Sequence, residues 1–152
     1  MQLNKKTGEG NFPLIKGERK MKTYAAYGSN MNLKQMKKRC PKAKVIGVGI
    51  LNDYKLTFRG NGHANIEASD GFQVPIVLWE ITPTCERALD RYEGYPNYYI
   101  KKPILVETKS GSKKAMAYVM TSNYEKLKAT PTATYYDIIC QGYLDNHIPV
   151  DT

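Results

Sequence analysis

The chain breaks into short runs rich in β-branched and aromatic residues, separated by turns containing glycine, asparagine and serine. This punctuation constrains the fold most, because closely spaced runs of that kind bury their apolar faces by pairing as strands. Residues 22–27, 44–50, 54–59, 63–67, 73–81, 98–108 and 114–121 read as strands. Asn52-Asp53, Gly60-Asn61-Gly62, Ser69-Asp70-Gly71 and Ser110-Gly111-Ser112 read as the turns between them. The run 73–81 is the most apolar and suits a central strand, with Pro75 placing its start at an edge.

Three segments carry helical spacing instead. Leu33, Met36 and Cys40 share one face of a short helix capped by Asn30 or Asn32 and stopped by Pro41. Thr82-Pro83 is a cap followed by proline at the first helical position. Cys85, Ala88, Leu89 and Tyr92 then recur at helical intervals until Gly94 and Pro96. Residues 133–145 predict a last helix with Tyr136, Ile139, Cys140 and Tyr143 on one side. Strands outnumber helices about two to one and are mostly hairpin-connected. The expected fold class is α+β: a small, largely antiparallel sheet of the kind that closes into a barrel, flanked by helices.

At 152 residues the chain is one ordinary domain with enough length to bury a core. No apolar run approaches the ~20 residues of a membrane-spanning helix, and the charged N-terminal segment lacks the apolar stretch of a signal peptide. The net charge of +9 would suit a nucleic-acid or anion binder. Much of it crowds one helix and its exit, on Lys34, Lys37, Lys38, Arg39, Lys42 and Lys44. No recognition motif accompanies the cluster, so it reads as a solvated face with cations toward the helix C-terminus, and no nucleic-acid partner is expected.

Residues 1–20 show no periodicity, and Met21 opens a clean strand. Lys16-Gly17-Glu18-Arg19 can be encoded by a purine run resembling a ribosome-binding site just upstream of the Met21 codon. Met21 therefore reads as a natural bacterial start, with 1–20 a translated leader and 21–152 the folded domain; a flexible tail is the alternative. Without 1–20 the chain loses five cations and two anions and carries +6.

Cys40, Cys85 and Cys140 are odd in number, widely spaced and lack a CxxC pair. A disulfide is not expected, and reduced thiols in a cytoplasmic protein are the default. Cys85 and Cys140 read as buried structural thiols. His63 and His147 lie far from the cysteines and from each other, so no metal site is expected.

Two local features ask for chemistry. Tyr27-Gly28-Ser29-Asn30-Met31 is a glycine-containing turn between strand and helix, whose backbone N–H groups suit an anion or oxyanion. A tight turn alone would use the same residues. Glu93 ends a helix, where the dipole and burial among tyrosines would raise its pKa toward neutrality. An exposed, screened glutamate is the plain alternative.

Together these features resemble the γ-glutamylcyclotransferase-like (AIG2-like) family. The resemblance spans 22–150: YAAYGSNM, NDYKLTFRG, GHANIEASDG, VPIVLWEIT, LDRYEGYPNYY, YVMTSNYE and YYDIICQGYLDNHIP occur in the family's order. It implies a small mixed β-barrel flanked by helices, a monomer or homodimer, and a cofactor-free enzyme of γ-glutamyl and glutathione metabolism. The implied reaction cyclises a γ-glutamyl amide to 5-oxoproline and frees the amine, with Glu93 as catalytic acid and base. The same resemblance assigns substrate binding to Tyr27, Gly28, Ser29, Asn30, Met31, Tyr99 and Tyr136, with Tyr98 the alternative to Tyr99. A relative acting on a specialised γ-glutamyl conjugate, and a non-catalytic ligand- or RNA-binding module on the same fold, are the competing readings. Twelve tyrosines against three phenylalanines then make sense as a phenol-lined pocket.

Overall fold

A computed structural model of the chain describes residues 20–150. The reading of 1–20 as a leader therefore falls, but for Lys20, outside the described residues. Five strands form a closed barrel: β1 (Lys22–Ala26), β2 (Lys44–Arg59), β3 (His63–Ile81), β4 (Tyr99–Thr108) and β5 (Gly111–Met120). Around the barrel the order is β1-β3-β2-β4-β5. Neighbours are antiparallel except β1 and β5, which meet in parallel at Tyr24 and Met116 and close the ring. The helices are α1 (Leu33–Arg39), α2 (Pro83–Glu93), the short α3 (Ser122–Glu125) and α4 (Ala133–Asp145). The structure thus bears out the largely antiparallel, barrel-closing sheet expected from the strand pattern and the small mixed barrel that the family resemblance implies.

Alternation along the strands builds two cores. Ala25, Val74, Ile76, Leu78, Ile104 and Val106 belong to one cluster. Tyr24, Ala26, Val77, Trp79 and Ile81 pack into the other, beside Met31, Met36 and Leu89. A strand covered on both sides needs apolar residues at successive positions, which is why Val74–Ile81 reads as an almost unbroken apolar run. Pairing with β1 ends at Val77, so Pro75 lies beyond it, consistent with an edge at that point.

Two of the expected turns are not turns. Asn52-Asp53 and Ser69-Asp70-Gly71 stand across from each other in one continuous hairpin, where the register shifts between Asn52 and Tyr54. Asp53 Oδ1 accepts from Gly71 N at 3.0 Å, and Asn52 Oδ1 accepts from Gln73 Nε2 at 3.0 Å. Turn-forming residues on both strands thus share a bulge, which bends the pair without reversing it. Gly60-Asn61-Gly62 makes the real reversal.

The expectation that all three cysteines are reduced is corrected as well. The end of α1 packs on the first turn of α2, bringing the Cys40 and Cys85 Cα atoms to 5.1 Å with their sulfurs bonded. Tertiary packing, invisible in a separation of 45 residues, makes this pair. Cys140 is free and half-buried, less covered than the buried thiol expected for it.

The last helix is also rotated from its expected face. Tyr135, Ile139 and Gly142, spaced at i, i+4 and i+7, face inward, whereas Tyr136 is 44% exposed. Gly142 sets that rotation. A Cβ there would stand 2.7 Å from Asn32 N and 2.8 Å from Met31 C, so only glycine lets α4 lie directly on this backbone.

Candidate active site

β1 delivers the chain to Gly28, and residues Ser29–Met31 form one 3-10 turn before α1. The turn's first backbone bond runs from Met31 N to Gly28 O at 3.0 Å, so the N–H groups of Ser29 and Asn30 precede it. Asn32 caps α1 by accepting from Gln35 N. The same side chain donates to Ile138 O of α4 at 3.0 Å, and Asn146 Nδ2 donates to Met31 O at 2.8 Å. Trp79 Nε1 donates to Asn30 O at 3.0 Å. The turn is therefore clamped between the barrel wall and α4.

Glu93 is the last residue of α2. Thr82 caps the helix start and Pro83 follows it. Gly94 adopts a left-handed φ of 70°, which ends the helix and leaves Glu93 at its rim. The side chain points into a cavity of about 300 Å³. Tyr24, Tyr27, Gly28, Ser29 and Asn30 line one side of it. Asn61, His63, Ala64, Tyr98, Tyr99, Tyr118 and Tyr135 line the other, with Arg91, Tyr92 and Gly94 at the Glu93 end.

Asn30 links the turn to the carboxylate. Its Nδ2 donates to Tyr24 Oη at 2.9 Å and reaches Glu93 Oε2 at 3.4 Å, while its Oδ1 accepts from Arg39 Nη1 at 2.7 Å. Burial pushes the Glu93 carboxyl up to about 7, with Arg39 pulling the other way. Burial and the negative Glu93 raise the Tyr24 and Tyr27 phenols well above their ordinary value, so both stay protonated donors.

Phenols fix the far wall through backbone. Tyr99 Oη donates to Ala64 O at 2.6 Å, and Tyr135 Oη accepts from Ala64 N at 3.0 Å. Tyr27 Oη donates to Tyr118 O at 2.5 Å. Tyr98 Oη accepts from Asn61 N at 2.9 Å and shares a hydrogen bond of 2.9 Å with His63 Nδ1. Burial lowers the His63 pKa. Among the described residues no cluster of His, Cys, Asp and Glu could hold a metal ion.

Of the residues singled out in the sequence, Glu93, Tyr27, Gly28, Ser29, Asn30 and Tyr99 meet at this cavity, and Tyr98 joins them. Met31 does not: fully buried, it packs in the core beneath the turn. Tyr136 does not either. It sits on the outer face of α4 with its ring 6.3 Å from that of Phe58, and its neighbour Tyr135 lines the cavity. The doublet hid this one-residue phase; its signal is the i, i+4, i+7 match of Tyr135 with Ile139 and Gly142. Tyr24, His63, Tyr92 and Tyr118 were missed because each comes from a different element.

Comparison with known proteins places the architecture. The profile of a family described as "Gamma-glutamyl cyclotransferase, AIG2-like" matches residues 24–137. The chain is 31% identical over 139 residues to the human protein named gamma-glutamylcyclotransferase, covering 84% of this chain and 73% of that one. It is 33% identical over 138 residues to the mouse protein of the same name, covering 83% and 72%. A solved structure named gamma-glutamyl cyclotransferase superposes with a TM-score of 0.79 at 32% identity, covering 86% of this chain and 82% of that one. Sequence, fold and cavity agree: the chain belongs to the γ-glutamylcyclotransferase family.

Proposed function

We propose that this chain converts γ-glutamyl amides, γ-glutamyl amino acids among them, into 5-oxoproline and a free amine, with Glu93 as general base and then general acid. The observation carrying this reading is a buried carboxyl raised to about 7 and one carboxamide away from the Tyr27–Asn30 turn. Near neutral pH such a group populates both protonation states, as a residue that first takes and then returns a proton requires.

Glu93 removes a proton from the substrate's α-ammonium. The freed nitrogen bonds to the γ-carbonyl carbon and closes a five-membered lactam. The carbon–nitrogen bond to the leaving amine breaks, and Glu93 gives its proton to that amine. The second proton, shed by the ring nitrogen as the lactam forms, leaves with the amine as its ammonium. Nucleophile and electrophile belong to one molecule, so the cavity needs chiefly to hold the folded conformer. The Ser29 and Asn30 N–H groups suit the substrate carboxylate or the developing oxyanion. Tyr27, Gly28 and Tyr99 shape the γ-glutamyl pocket, and Tyr135 takes the part that the resemblance assigned to Tyr136.

A cytoplasmic protein of a bacterial source, acting in glutathione metabolism as a monomer or homodimer without a nucleic-acid partner, completes the proposal. Among the described residues no helix is long and apolar enough to cross a membrane. The test incubates the purified chain with a series of γ-glutamyl amino acids and amines and follows 5-oxoproline. Release of 5-oxoproline from at least one substrate supports the proposal. No release, with a salt-dependent shift of RNA instead, would favour the binding module. Deleting 1–20 should leave activity and melting temperature unchanged if Met21 is the natural start.

A further inference from the structure

The basic cluster on α1 is not uniform. Lys34, Lys37 and Lys38 are exposed, but Arg39 is turned inward. Its guanidinium lies 3.6 Å from the centre of the Tyr92 ring, and its Nη1 donates to Asn30 Oδ1 at 2.7 Å. Tyr92 precedes Glu93 on α2, and its hydroxyl stands 3.2 Å from Ser29 Oγ. Arg39 thus touches both halves of the Glu93 corner, yet it does not line the cavity.

The direction of the hydrogen bonds gives this contact its meaning. A guanidinium can only donate, so the Asn30 oxygen must face Arg39. The Asn30 NH2 group must then face Tyr24 and Glu93, which is the arrangement found. With the amide reversed, its oxygen would oppose the Glu93 carboxylate. Tyr24 accepts from Asn30 and so keeps its own proton to donate into the cavity.

We propose that Arg39 is a positioning residue for Glu93: through Asn30 and Tyr92 it fixes which end of the Asn30 amide meets the carboxylate, and its charge favours the ionised form. The inference rests on the proposed role of Glu93. The other titratable groups around that carboxylate are phenols, Tyr24 and Tyr27 at β1, Tyr98 and Tyr99 at β4, Tyr118 on β5 and Tyr135 on α4. His63 on β3 is shifted to lower pH, Arg91 on α2 is exposed at the rim, and Asp90 is paired with Lys101. Arg39 is the cation that pulls the Glu93 pKa down.

The test compares wild type with Arg39→Met and Arg39→Lys, using Arg39→Gln if the Met variant fails to fold. In the substrate-free proteins, carbon-13 NMR of labelled glutamate follows the Glu93 carboxyl, identified by its absence in Glu93→Gln. Removing the cation disfavours the carboxylate, so the midpoint should rise by about 1 pH unit in the neutral variant and stay near wild type in Arg39→Lys. With substrate, kcat of the neutral variant should fall about 10- to 100-fold with KM little changed. The acid limb of its pH–rate profile should move up with the midpoint, and Lys should restore that limb. An unmoved midpoint in the folded neutral variant overturns the inference, even if activity falls, because the loss would then be structural. The titration needs no turnover, so a wild-type protein without 5-oxoproline release would defeat the functional reading while still deciding the Arg39–Glu93 coupling.

Discussion

The two sides of the cavity are held in different ways. On the far side, Tyr99 and Tyr135 bind the N–H and C=O of a single residue, Ala64, and Tyr98 binds Asn61 N. Those bonds tie side chains to a strand and its turn, so that wall keeps one shape. At the Glu93 corner the partners are side chains from β1, the 3-10 turn, α1 and α2: Tyr24, Asn30, Arg39 and Tyr92. Their bonds set charge and proton position. The contrast separates shape from chemistry, and substitutions on the two sides should fail differently.

Asn30→Ala should have the largest effect of the paired substitutions. It removes the link between Arg39, Tyr24 and Glu93, and kcat should fall by about 100-fold with a smaller change in KM. Steady-state kinetics at several pH values would check this. Tyr135→Phe, on the far wall, leaves Ala64 N without its acceptor and should cost about tenfold in kcat/KM, mostly through KM. A loss in kcat equal to that of Asn30→Ala would blur the division between the walls.

A third prediction concerns stability. The folded Glu93 pKa is raised to about 7 from an ordinary carboxyl value of 4.5. The fold therefore favours the protonated form, and this contribution is fully present below about pH 4.5 and is lost as pH rises through about 7. Glu93→Gln should accordingly raise the melting temperature relative to wild type at pH 8 and match it near pH 4. Thermal unfolding at the two values reads the sign. The smallest effect belongs to Tyr136→Phe, which should change kinetics by less than about twofold because its ring lies outside the cavity.

The strand pattern disclosed the barrel because a closed sheet covered by helices needs both period-2 and unbroken apolar runs. Thr82-Pro83 and Gly94 disclosed α2 and so the rim position of Glu93. The remaining features depend on distance in space. Cys40 and Cys85 meet where α1 packs on α2, and Arg39, one of several basic residues in its neighbourhood, turns inward only because Asn30 and Tyr92 are there to receive it. Met31 belongs to the same short motif as Asn30, yet the 3-10 turn sends it into the core. Tyr135 and Tyr136 differ by one helical step, which Gly142 decides through its approach to Asn32.

The central claim is that Glu93 carries the proton through both halves of the cyclisation. The most direct measurement compares 5-oxoproline release by wild type and Glu93→Gln at pH 7 on the substrate turned over fastest, with melting temperature recorded alongside. The account predicts a folded variant whose kcat is lower by about 1000-fold or more. Turnover within about tenfold of wild type would contradict it.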